Sequence, residues 1–239
     1  MFSAVVRGLP LLVTYSFHQH NGVVVQLVRA PACHAGSCGF KSHLSRILFT
    51  LIFVMVLKLP FRPITYITID YPDPSKINLV LYDLIKSNGV ESVNGGAKRT
   101  DFSFVINNRG EEELDLLLSW IENLLPRIAF VFALGHGDFD YDPTILGFNP
   151  EAFVISESWG IHYDKGQGVV KHNHFPYNMT FVYYIKTPEG SSPLILDNEE
   201  LFLKEGQIIF FLGHQFHGVE KNNIDSRCAI AGNILYNPK

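Results

Sequence analysis

The chain has 239 residues, 47% of them hydrophobic and 18% charged, with a formal net charge of −4. That composition supports a sizeable core and excludes a disordered chain, and a pI near 6.2 excludes a broad basic footprint for nucleic acid. The three cysteines, Cys33, Cys38 and Cys228, are odd in number and two fall in one atypical segment. A disulfide framework is therefore not expected, and a reducing cytoplasm is.

Residues 22–46, GVVVQLVRAPACHAGSCGFKSHLSR, resemble a transfer-RNA gene translated in frame. Gly39-Phe40-Lys41-Ser42 can be written GGG TTC AAG TCC, which carries the TΨC-arm signature. Pro31–Gly36 can be written as two complementary stems around an aspartate anticodon loop. The competing reading is a basic arm in which Cys33, His34 and Cys38 hold a metal. The first reading is preferred: residues 1–54 are expected to stand outside the fold, the start is expected at Met55, and Cys33, His34, Cys38 and His43 are expected to carry no function. The apolar run Ile47–Leu57 has 11 residues, against the roughly 20 that a membrane-spanning helix needs, and it begins too late for a signal peptide. No membrane association is expected.

Leu59–Ile69 alternates and is rich in Ile, Thr, Phe and Tyr, so it predicts a strand. Asp73 or Ser75 is expected to cap a helix that runs to about Lys86 and stops at Ser87-Asn88-Gly89. Phe102–Ile106 predicts a short strand. Over Glu111–Leu125, Leu114, Leu117, Leu118, Ile121 and Leu125 recur at helical spacing, with acids crowding the first turn. Pro126 is expected to end or perturb that helix. Gly135–Pro150 reads as a long connection. Its acids Asp138, Asp140 and Asp142 lack the glycine and glutamate of a calcium loop, and His136 there has no visible partner.

From Glu151 onward the texture becomes short β-rich runs separated by turns: Phe153–Tyr163, Gly168–Phe175, Thr180–Lys186, Leu194–Leu196, Leu201–Leu203, Gln207–Leu212, His217–Glu220 and Arg227–Leu235. This spacing predicts a mainly β, cupin-like jelly roll, or double-stranded β-helix, over 151–239. Residues 55–150 would form a helical and strand support region whose two helices buttress one sheet.

The chemistry-bearing pattern is His172-Asn173-His174, then His217 and Arg227. Alternation along a strand puts His172 and His174 on one face. His217 follows His174 by 43 residues, about four strands on, where a jelly roll returns beside its first strand. Three imidazoles there suit Fe(II), Zn, Cu or Ni. Arg227 begins the next strand, and its planar fork suits a carboxylate.

Trp159, Tyr163, Gly166, His172-x-His174, Phe181-Val182-Tyr183-Tyr184, Gly206, Phe211, His217-Gly218-Val219, Arg227 and Gly232-Asn233 together resemble the core of 2-oxoglutarate/Fe(II) oxygenases of bacteria and phages, which are related to prolyl-hydroxylase-like enzymes. The resemblance spans roughly residues 151–237. It implies that His172 and His217 bind iron and that Arg227 pairs with the distal carboxylate of 2-oxoglutarate. It also implies a dioxygenase that consumes O₂ and the keto acid, releases succinate and CO₂, and hydroxylates a small-molecule or peptidyl substrate. The usual third iron ligand is a carboxylate; here that position holds His174. The alternative places His174 beside the site, with Asp197 or a water completing it.

Tyr163 and Tyr184 lie on strands flanking the histidines and are expected to line the pocket with a hydroxyl toward the cosubstrate. Asn233 is expected in the same pocket. Trp159 reads as packing, His162 as structural, and His214 as a turn residue. Gly166 and Gly168 are assigned to hairpin geometry. Two rivals remain: a cupin-type metalloenzyme that uses no 2-oxoglutarate, and a non-catalytic jelly-roll binding or phage structural module.

Overall fold

The computed structural model describes residues 11–18, 22–29, 65–89, 91–134 and 146–238. The chain divides into two units, Met1–Pro60 and Phe61–Lys239. In the first, strands β1 (Leu11–His18) and β2 (Gly22–Arg29) pair antiparallel. Cys33, His34, Cys38, His43, Met55 and the run Ile47–Leu57 lie outside the described residues, as do His136, Asp138, Asp140 and Asp142.

The second unit is a double-stranded β-helix. Its larger sheet has the order β3-β11-β8-β13-β6-β5-β4 and its smaller one β10-β9-β12-β7. The strands are β3 (Tyr66–Asp70), β4 (Glu91–Ser92), β5 (Lys98–Arg99), β6 (Phe153–Tyr163), β7 (Val169–His172), β8 (Met179–Lys186), β9 (Leu194–Leu196), β10 (Glu199–Leu201), β11 (Gln207–Leu212), β12 (His217–Val219) and β13 (Arg227–Tyr236). Every pairing between these strands is antiparallel. The region before Glu151 supplies β3 and β5, which extend the larger sheet through β11 and β6.

Both faces of the central strands are buried, which explains their near-continuous apolar runs. Phe181, Tyr183, Ile208, Phe210, Cys228 and Ile230 face the helices α1 (Asn78–Asn88) and α3 (Glu112–Leu134). The alternate residues Tyr184, Ile209, Phe211, Ala229 and Ala231 face the interior between the sheets. Helix α3 is long and apolar enough to cross a membrane, but it spends Leu114, Leu117, Leu118, Ile121 and Leu125 on the sheet.

Several local expectations are corrected. Ser75 does not cap a helix; its hydroxyl donates to Asp73 Oδ1 at 2.6 Å beside a 3₁₀ turn, Pro74–Lys76. Helix α1 begins at Asn78, whose amide donates to the Ile185 carbonyl (2.8 Å) and accepts from the Tyr183 hydroxyl (2.7 Å), which ties the helix start to β8. Phe102–Ile106 is not a strand. Asp101 accepts from the Ser103 N–H at 2.8 Å and starts a helical turn, α2 (Phe104–Asn107). Pro126 does not end α3: the apolar residues beyond it, Ile128, Ala129 and Phe130, are buried, and that packing carries the helix on to Leu134. Strand β10 comes two residues early because Asp197 and Asn198, at φ 47 and 75, form the hairpin turn.

Candidate metal centre

His172 and His217 are direct cross-strand partners on β7 and β12, a position where facing Cβ atoms lie about 5 Å apart. His174 is beyond the end of β7. It sits on a loop fixed by its own N–H, which donates to the Gly213 carbonyl at 2.8 Å. It still turns inward: the ring centroids lie 4.9 Å (172–174), 4.4 Å (172–217) and 5.0 Å (174–217) apart. One nitrogen from each ring lies within 4.8 Å of the others.

The rings are aimed by the backbone. Nδ1 of His172 donates to the Val170 carbonyl at 2.8 Å, and Nδ1 of His217 to the Gln215 carbonyl at 3.3 Å. This leaves the opposite nitrogens with lone pairs for a metal. Burial, reinforced by the neighbouring imidazoles, pushes His217 down to about 3 and His174 down to about 4. Both are neutral near pH 7, the form that metal binding requires. The donor set fits a borderline divalent metal such as Fe(II). Asp197 does not join it: its carboxylate accepts from the Gln215 amide (2.9 Å) and the Phe216 N–H (3.1 Å).

The same cavity, about 620 Å³, is lined by Arg227, Tyr163, Tyr184 and Asn233. Arg227 is 2% exposed, yet its Nε and Nη1 have no hydrogen-bond partner. The guanidinium lies 4.6 Å from the Tyr163 ring centroid and 5.4 Å from that of Tyr184. No ion pair among the described residues includes it. The buried Tyr184 hydroxyl also has no partner. Burial pushes both phenols up, with the Arg227 charge partly opposing. Buried polar groups are rarely left so. This cluster fits a carboxylate arriving from outside.

Asn233 lines the pocket through a hydrogen-bonded amide. It is 1% exposed and its side chain is already engaged: it accepts from the Thr180 hydroxyl at 3.1 Å and donates to Glu157 Oε1 at 2.7 Å. Trp159 packs edge-on against Phe102, with centroids 5.0 Å apart, and its ring lies 5.7 Å from that of His174, so it is also a pocket wall. His162 is buried against Tyr82 and Asp164, away from the cluster, and His214 is exposed. Gly166 adopts φ 80, as a turn requires. Gly168 serves a different purpose: a Cβ there would lie 2.5 Å from the Val219 carbonyl oxygen, so glycine lets β7 approach β12. The sequence reading missed Glu157, although its alternation with Trp159, Ile161 and Tyr163 on β6 marks it as inward-facing.

No family model and no curated protein matches the chain. Among solved structures it is similar to a Pseudomonas putida prolyl-4-hydroxylase, with 15% identity and a TM-score of 0.51 over 72% of this chain and 93% of that one. It is also similar to SnoN, a non-heme alpha-ketoglutarate-dependent epimerase of nogalamycin biosynthesis, with 12% identity and a TM-score of 0.50 over 79% and 86%. The chain thus has the double-stranded β-helix fold of 2-oxoglutarate/Fe(II) oxygenases.

Proposed function

We propose that the protein is an Fe(II)- and 2-oxoglutarate-dependent dioxygenase that hydroxylates a small-molecule or peptidyl substrate and releases succinate and CO₂. The observation that carries this reading is one pocket holding both three convergent imidazoles and a buried guanidinium with two unpartnered nitrogens. His172, His174 and His217 would hold the iron. Arg227 would take the distal carboxylate of the keto acid, with the Tyr184 hydroxyl beside it. With iron and the keto acid bound, O₂ would be the oxidant, taking two electrons from decarboxylation of the keto acid to succinate and two from the substrate. The chain's own contribution is to aim the three rings, neutralise the carboxylate and enclose the reaction away from water. Three imidazoles alone also suit a cupin-type metalloenzyme, but that reading gives Arg227 no work. A cytoplasmic location is proposed on the buried free thiol of Cys228.

The test is anaerobic. Fe(II) and then 2-oxoglutarate are added, and the visible charge-transfer absorption of the chelate is followed. The band is expected in the natural protein and absent in Arg227→Ala, with iron retained. Iron binding with no band in the natural protein would remove the cosubstrate from the reading.

A further inference from the structure

Among the described residues, Glu157 is the only acidic side chain lining the pocket, and the metal cluster does not use it. It is held from beneath by a buried chain. The Thr180 hydroxyl, 0% exposed, donates to Asn233 Oδ1, and Asn233 Nδ2 donates to Glu157 Oε1 at 2.7 Å. The Tyr177 phenol is raised by burial and then by the neighbouring Glu157. A glutamine could accept from Asn233 equally well, so this scaffold does not need a charge. Half-burying a carboxylate is costly without a counter-ion, and no ion pair among the described residues includes Glu157. The wall beside it is aromatic: Trp159 lies two residues along β6 on the same face, and Phe102 packs on Trp159. Aromatic faces favour cations, and Phe102 already carries the Arg99 guanidinium 3.6 Å from its ring centroid.

We propose that Glu157 selects the substrate by pairing with a cationic group, an amine or guanidinium, held against the Trp159 wall. This rests on the oxygenase reading for where the substrate lies. Two residues of strand separate Glu157 from Trp159, and the Trp159 ring is 5.7 Å from His174, so the charged end sits on the order of 10 Å from the metal cluster. The oxidised carbon is therefore several bonds from the cation. In this arrangement Arg227 takes the cosubstrate's anion and Glu157 the substrate's cation, on a wall that also carries Arg99.

The test uses the full chain, with and without Fe(II) and 2-oxoglutarate, in a Trp120→Phe background so that Trp159 is the sole tryptophan and can be excited selectively over the tyrosines. Arginine amide and lysine amide are titrated against their uncharged matches, citrulline amide and norleucine amide. Blocked hexapeptides with a central arginine, lysine, citrulline or norleucine form the second arm, which separates a free from a peptidyl source. At least one cationic probe is expected to bind about tenfold tighter than its match, or 1.4 kcal/mol. That preference should vanish in Glu157→Gln and turn toward glutamate-bearing probes in Glu157→Lys. Thermal unfolding of both variants checks that they fold. Equal binding of charged and uncharged probes, no binding at millimolar concentration, or discrimination surviving in Glu157→Gln would overturn the proposal. The charge-transfer band separates the two readings. A band without charge preference sinks only the role of Glu157; a charge preference without a band supports the cation site and sinks the oxygenase.

Discussion

Arg227 is a residue whose stability and function pull in opposite directions. In the ligand-free protein its guanidinium is buried with two nitrogens unpartnered. Arg227→Met keeps most of the volume and removes the charge, so it is expected to leave the apo protein as stable or to raise its stability by about 1–3 kcal/mol. The same change should weaken 2-oxoglutarate by at least about thirtyfold, because truncating a buried charge pair costs about 2–5 kcal/mol. Denaturant titration and calorimetry check the two signs. Thr180→Val should behave differently. It leaves the buried Asn233 Oδ1 without its donor and is expected to cost about 1–2 kcal/mol in denaturant titration, with iron binding intact. At this scale the sequence was informative where chemistry has a rare spelling: three histidines and an arginine named the pocket. Asn233 lines the pocket as expected, but its link to Glu157 was not legible, because an amide's hydrogen bonds depend on register. The β13–β6 pairing sets Asn233 opposite Glu157, and no local pattern announces that.

Among the elements, the pairing of β7 with β12 carries the site, and Gly168 permits it. Gly168→Ala puts a Cβ against the Val219 backbone, where nothing flexible can yield. A loss of about 1–3 kcal/mol is expected from overpacking. Iron affinity should fall as well, because parting the strands parts His172 from His217; thermal unfolding and iron titration of the one variant test both. Strands were legible where both faces are buried: β6, β9 and β11 lie where apolar runs predicted them. The misreadings fell where tertiary contact overrides local preference. Asn78 reaching to β8 displaced the expected helix cap, and burial beyond Pro126 carried α3 past a residue that usually stops a helix. The loop after β7 was read as strand, yet His174 still meets its partners because Gly213 anchors its backbone.

For the whole molecule, the metal cluster links stability to pH. His217 is held near 3 in the fold, against about 6.5 in an unfolded chain. Below pH 6.5 the unfolded state takes up a proton that the folded state refuses, so metal-free stability should decline as pH falls, by up to about 1.4 kcal/mol per unit for this residue. Above that window its contribution is flat. Chemical denaturation of the metal-free protein between pH 5 and 8, values of about the range where such proteins are most stable, measures the slope; a slope of opposite sign would contradict the burial of His217. The jelly-roll architecture itself was legible from strand spacing, whereas the joining of β3 to β11 and of β5 to β6 was not, since partner choice at such long sequence separation leaves no periodicity. The lone guanidinium at 227 has one further consequence. On the proposed function, 2-oxoglutarate at a hundred times its dissociation constant would deepen the folded well by about 2.7 kcal/mol. Proteases sample the opened chain, so on the proposed function added 2-oxoglutarate should slow limited proteolysis of the natural protein and leave that of Arg227→Ala unchanged.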